Sequence, residues 1–161
     1  MDEVGIEKAI ILTGERGKAF DAIYERYSRY PDRIEVWCGL DYTGYDKPGF
    51  GVAAVRELER CYKLGARGVG ELSDKGKGLF YSKPTKAWGM HLDDARMDPR
   101  LEKCAELEMP VNIHVADPRR MYEPMDASND GLMNAYKWRL DNQPGIVGHE
   151  GMVEILDRAV K

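Results

Sequence analysis

Apolar positions in this chain fall into short continuous runs that alternate with stretches spaced at three and four residues. The run Lys8-Ala-Ile-Ile-Leu12, closed by Thr13-Gly14, has the length and boundaries of a buried strand. Phe20, Ile23, Tyr24, Tyr27 and Tyr30 then recur at helical spacing, and Pro31 ends that helix. Ile34-Glu-Val-Trp-Cys-Gly-Leu40 alternates and is rich in strand formers, ending at Asp41 before a loop with Gly44, Pro48, Gly49 and Gly51. The plan then repeats. Val52, Val55, Leu58, Cys61 and Tyr62 mark a helix face with Gly65 as its C-terminal cap, and Ala66 to Leu72 reads as a short strand. A long polar loop from Ser73 to about Asp94 carries Lys75, Lys77, Lys83 and Lys86. Met97, Leu101, Cys104 and Ala105 mark a third helix, and Pro110-Val-Asn-Ile-His-Val115 is the clearest strand. A helical stretch surrounds Leu132, Met133, Tyr136 and Leu140, and a last helix carries Val153, Ile155, Leu156 and Val160.

Strands beginning near residues 8, 34, 67 and 110, each followed by a helix, predict an α/β fold of parallel strands with helical crossovers. Two architectures fit: a doubly wound sheet of flavodoxin type, or part of a (β/α)₈ barrel, which in full takes about 250 residues. The connections after strands are long and polar. Those from helix back to strand are short: Tyr30-Pro-Asp-Arg33, Leu64-Gly-Ala66 and Glu108-Met-Pro110. In both architectures the loops after strands build the active face, so this asymmetry favours an enzyme. No composition shift divides the chain, which reads as one domain over residues 1–161.

Composition narrows the classes. With 161 residues, 43% hydrophobic and 32% charged, the chain is long enough for one real core. No apolar run approaches the roughly 20 residues of a membrane helix, and the acidic start from Met1 to Lys8 lacks a signal-peptide layout. A net charge of −4 argues against holding nucleic acid by phosphate neutralisation. Three scattered cysteines do not make a disulfide framework, and a reducing cytoplasm is the expected compartment.

His114 is the most informative residue. It lies near the carboxyl end of its strand, where an imidazole can bind a metal or move protons; the structural alternative is a hydrogen-bonded core histidine. Glu71 ends the strand Gly68-Val-Gly-Glu-Leu72, as a ligand, an acid or base, or a rim residue paired with Lys75 or Lys77. Asp41 can orient a neighbouring group or cap its loop. Asp74-Lys-Gly-Lys-Gly78 has Lys77 where a phosphate loop needs Ser or Thr, and no Gly-x-Gly-x-x-Gly follows the first strand. Cys38, Cys61 and Cys104 read as core fillers, His91 as a solvated loop residue, and His149 as a residue opening the last helix. Tyr122, Tyr136 and Trp138 either wall a pocket or form a small satellite core.

The order of motifs is itself distinctive: Tyr30-Pro-Asp-Arg-Ile34, Glu57-Leu-Glu-Arg60, Leu64-Gly-Ala-Arg-Gly-Val69, Asp94-Ala-Arg-Met-Asp-Pro99, Leu101-Glu-Lys-Cys-Ala105 and Met109-Pro-Val-Asn-Ile-His114. Over nearly the whole chain this succession resembles the amidohydrolase-related family of metal-dependent hydrolases. That family also holds the aminocarboxymuconate-semialdehyde-type decarboxylases. The resemblance implies a (β/α)₈ barrel of which this chain supplies about strands two to five. His114 becomes the fifth-strand metal ligand. Glu71 ends the fourth strand, where some members place a bridging or second ligand. A divalent metal, zinc by default, would activate water on a small substrate, with Lys75 and Arg119 beside the mouth to hold an acidic one. The family's His-x-His pair is absent, as are its sixth to eighth strands with their Asp. The expectation is therefore a fragment, inactive as a hydrolase on its own, that self-associates through exposed barrel edges. A decarboxylase of the same superfamily and a non-catalytic flavodoxin-like binding module are the alternatives.

Overall fold

In the computed structural model, which describes residues 1–79, 87–131, 140 and 143–161, the predicted alternation forms in sequence. The elements are β1 (Ala9–Leu12), α1 (Gly17–Tyr27), β2 (Ile34–Trp37), α2 (Phe50–Leu64), β3 (Val69–Asp74), α3 (Asp98–Glu106), β4 (Val111–Val115) and α4 (His149–Ala159). The helical stretch expected around Leu132, Met133 and Tyr136 lies outside the described residues, as do Lys83, Lys86 and Trp138.

Local chemistry sets the boundaries. α1 stops four residues before Pro31, and α3 carries Pro99 in its first turn, where its missing N–H costs nothing. α2 ends on Gly65 at φ 130°, whose N–H donates to the carbonyls of Cys61 and Tyr62. A Cβ at Gly65 would also lie 2.0 Å from the Tyr24 hydroxyl, so only glycine lets α1 and α2 approach this closely.

Strand pairing is parallel throughout. β1 pairs with β2 from Ala9↔Ile34 to Leu12↔Trp37, and β3 pairs with β4 from Val69↔Val111 to Asp74↔Val115, with an irregularity between Val69 and Leu72. The two pairs join where Cys38, one residue past β2, bridges Val69: Cys38 N–H donates to the Gly68 carbonyl (3.0 Å) and Gly70 N–H to the Cys38 carbonyl (2.9 Å). The strands therefore follow one another in space as β1-β2-β3-β4. α1 packs on α2 and α2 on α3 as a continuous layer. A flavodoxin-type sheet would instead have β1 between β2 and β3, with helices on both faces.

The core lies between sheet and helix layer, with Val36, Val69 and Leu72 buried against Phe20, Leu58 and Met97. All three cysteines belong to it. Burial pushes the Cys104 thiol up to about 12, and the Cys61 thiol is raised by its hydrogen bond with Cys38 and by burial. The opposite face of the sheet is open: Ile10 and Leu12 on β1 and Asn112 on β4 are exposed. Among the described residues no helix is long and apolar enough to cross a membrane.

Candidate functional site

The carboxyl ends of β3 and β4 bring together residues that are far apart in sequence. The register pairs Ser73 with His114, and the His114 imidazole meets Glu71 across the strand pair, Nδ1 to Oε1 at 2.5 Å. On its other side, Nε2 stands 3.0 Å from Asp117 Oδ1. Asp117 reaches back because Ala116 adopts a left-handed φ of 63°, which turns the chain at the end of β4. The second oxygen of Asp117 pairs with the Lys75 ammonium at 3.1 Å. Tyr122 locks this turn: its hydroxyl accepts from the Asp117 N–H and donates to the Lys75 carbonyl, each at 3.1 Å.

Lys75, Asp117, His114 and Glu71 thus form a continuous line of polar contacts. Its inner end is nearly buried, with the Asp117 side chain 10% exposed, whereas Glu71 and His114 are 41% and 39% exposed. A neutral imidazole donates from one nitrogen and accepts at the other, so only the protonated ring can donate to both carboxylates. The arrangement fixes the orientation of the His114 ring between two carboxylates beside an open surface.

Of the four residues expected to form a site, three are neighbours: His114, Glu71 and Lys75. Arg119 sits apart. It pairs with Glu150 in a cleft of about 420 Å³ lined also by Tyr122, Glu123 and His149. His149 is the first residue of α4, and its ring meets Tyr122 edge-on with centroids 5.8 Å apart. Asp41 caps its own loop, accepting from Thr43 N–H at 2.9 Å and pairing with Arg16.

His91 departs from the expectation of a solvated loop residue. Its Nδ1 lies 2.7 Å from Oδ2 of Asp74, a fully buried carboxylate that also accepts from Gly76 N–H. The hydrogen bond to Asp74 raises the imidazole above its ordinary value, against the opposing effect of burial. Strand alternation separates this pair from the His114 line, because Asp74 lies on the covered side of β3. Asp117 and Asp74 had no signal in the sequence beyond their places at strand ends.

A metal centre is only partly provided for. Among the described residues, no three His, Cys, Asp or Glu side chains are placed to hold a metal ion. His114 with one carboxylate supplies two protein ligands, one fewer than a catalytic zinc site takes.

No protein-family model matches the chain, and no curated protein matches it. Among solved structures, 2,6-dihydroxybenzoate decarboxylase from Rhizobium has the same fold over 99% of this chain, with a TM-score of 0.55 and 21% identity. The chain spans 48% of that protein's length.

Proposed function

We propose that the chain forms the second to fifth β/α units of a (β/α)₈ decarboxylase of the amidohydrolase superfamily, acting on a small aromatic or otherwise unsaturated acid. One observation carries this reading. The His114 line opens at the carboxyl ends of parallel strands, the catalytic end of such barrels, in a chain whose fold follows a decarboxylase from end to end. The sequential strand order and single helix layer support a barrel arc over a doubly wound sheet. The likeness favours decarboxylation over hydrolysis.

In this reading His114 and Glu71 would be two ligands of a divalent metal whose other ligands come from elsewhere in the barrel. When bound, such an ion polarises the substrate carboxylate. As the bond from ring carbon to carboxylate breaks and CO₂ leaves, the electron pair left on carbon takes up a proton that derives from solvent water. Glu71 and Asp117 orient the ring, and Lys75 holds Asp117 in place.

Substrate turnover distinguishes the reactions. With 2,6-dihydroxybenzoate labelled with ¹³C in its carboxylate, the assembled protein is expected to release labelled CO₂, and His114→Ala to lose that release while staying folded. Hydrolysis of esters or lactones without CO₂ release would return the assignment to a hydrolase. CO₂ release that His114→Ala leaves intact would remove His114 from the site.

A further inference from the structure

Asp74 stands where two turns leave the strand pair. Its carbonyl, at the end of β3, accepts from the N–H of Ala116 at 3.0 Å, and Ala116 is the left-handed residue that aims Asp117. Lys75 follows Asp74 in the chain as Asp117 follows Ala116, and the two side chains meet behind His114. The Asp74 side chain turns the other way and is fully buried. Its Oδ1 accepts from Gly76 N–H at 3.0 Å, and its Oδ2 lies 2.7 Å from His91 Nδ1. A carboxylate only accepts, so His91 donates. The loop that brings His91 back is laced at its base, where Gly89 N–H donates to the Lys77 carbonyl at 2.9 Å and Leu79 N–H to the Met90 carbonyl at 2.8 Å.

We infer that His91 is a positioning residue for the His114 line: by closing on Asp74 it fixes the turn at residues 74–76 that presents Lys75 to Asp117. This builds on the reading of that line as the working site and adds a residue that touches none of its members. Charge is the first argument. A buried carboxylate needs a hydrogen-bonded partner, and His91 supplies the side-chain donor to Asp74 while Gly76 supplies a backbone one. Without His91 that charge is unpaired, and the turn that carries it opens towards water. The short lever is the second argument. The same carboxylate grips Gly76 N–H, so Lys75 is held between the two residues that the grip joins. The turn also has no slack: the Gly76 carbonyl accepts from Val147 N–H at 2.8 Å, and at φ 108° a Cβ there would lie 2.5 Å from the Val147 carbonyl oxygen. Continuity is the third. The Lys75 carbonyl accepts from the Tyr122 hydroxyl, which in turn accepts from Asp117 N–H, so a displaced turn loosens both ends of the Lys75–Asp117 pair.

The Lys75 amine reports the turn. Acylation of the intact protein, read by mass spectrometry, gives its rate beside that of Lys103, a control of similar exposure (22% and 17%) paired with Glu59 and Glu106. His91→Phe keeps the bulk of the ring and removes both nitrogens. It is expected to raise the Lys75 rate about tenfold by opening the turn, and to leave Lys103 unchanged. His91→Asn, whose amide nitrogen stands where Nδ1 stood, is expected to restore the slow rate. A Lys75 rate that both His91→Phe and His91→Ala leave unchanged would overturn the inference. So would equal rises at Lys75 and Lys103, or loss of the cooperative melt in both variants, since His91 would then hold the core and not the turn. Release of labelled CO₂ gives the second readout: His91→Phe and Lys75→Met are expected to lower kcat by the same factor, and the double variant no further. Losses that multiply would count against a shared route. A wild-type protein that releases no CO₂ defeats the decarboxylase reading alone, and the acylation rates still decide the role of His91.

Discussion

At the scale of single residues, the imidazoles are set apart by the carboxylates they meet. His91 faces a fully buried one, and its hydrogen bond to Asp74 raises it above the ordinary value of 6.5. A group raised on folding stabilises the fold fully below its unfolded value and loses that contribution as pH climbs through its raised folded value. The melting temperature is therefore expected to fall as pH rises from below about 6.5 through that interval. Thermal melts across pH check this against His91→Gln, which should flatten the dependence; an identical slope in the variant would contradict the assignment. None of this was legible in the sequence, where His91 stands in a polar loop and the burial of Asp74 depends on the sheet. The same holds at the His114 line. Its histidine and Glu71 were legible as strand-end residues. Their contact was not, because it spans 43 positions and depends on the β3–β4 register. Asp117 was hidden for another reason: an alanine at φ 63° aims it, and alanine gives no sign of a left-handed turn.

At the scale of elements, the loops after β1 and β2 touch backbone to backbone. Gly39 N–H donates to the Glu15 carbonyl at 2.7 Å, and a Cβ at Gly39 would lie 2.0 Å from the Gly14 carbonyl oxygen. Backbone cannot give way as a flexible side chain can. Gly39→Ala is therefore expected to destabilise the fold by about 1–3 kcal/mol or more, read as a lower denaturation midpoint with an unchanged slope. An unchanged midpoint would contradict this close approach. Strand and helix positions themselves were largely legible. Strands expected near 8, 34, 67 and 110 begin at Ala9, Ile34, Val69 and Val111, because apolar runs bounded by Gly and Pro are local signals. Strand order was not legible: both architectures share the same alternation and differ only in which edges meet.

At the scale of the whole molecule, the parallel strands carry Glu71 and His114 together at their carboxyl rim. The central claim is that His114 is where a small acid binds. With only three histidines in the chain, the ¹⁵N-labelled imidazoles can be followed individually by NMR as 2,6-dihydroxybenzoate is added. The account predicts that the His114 ring nitrogens shift in a saturable way and that those of His91, tied to Asp74 on the covered side of β3, hold still. A saturable shift confined to His91 or His149, with His114 unmoved, would contradict it.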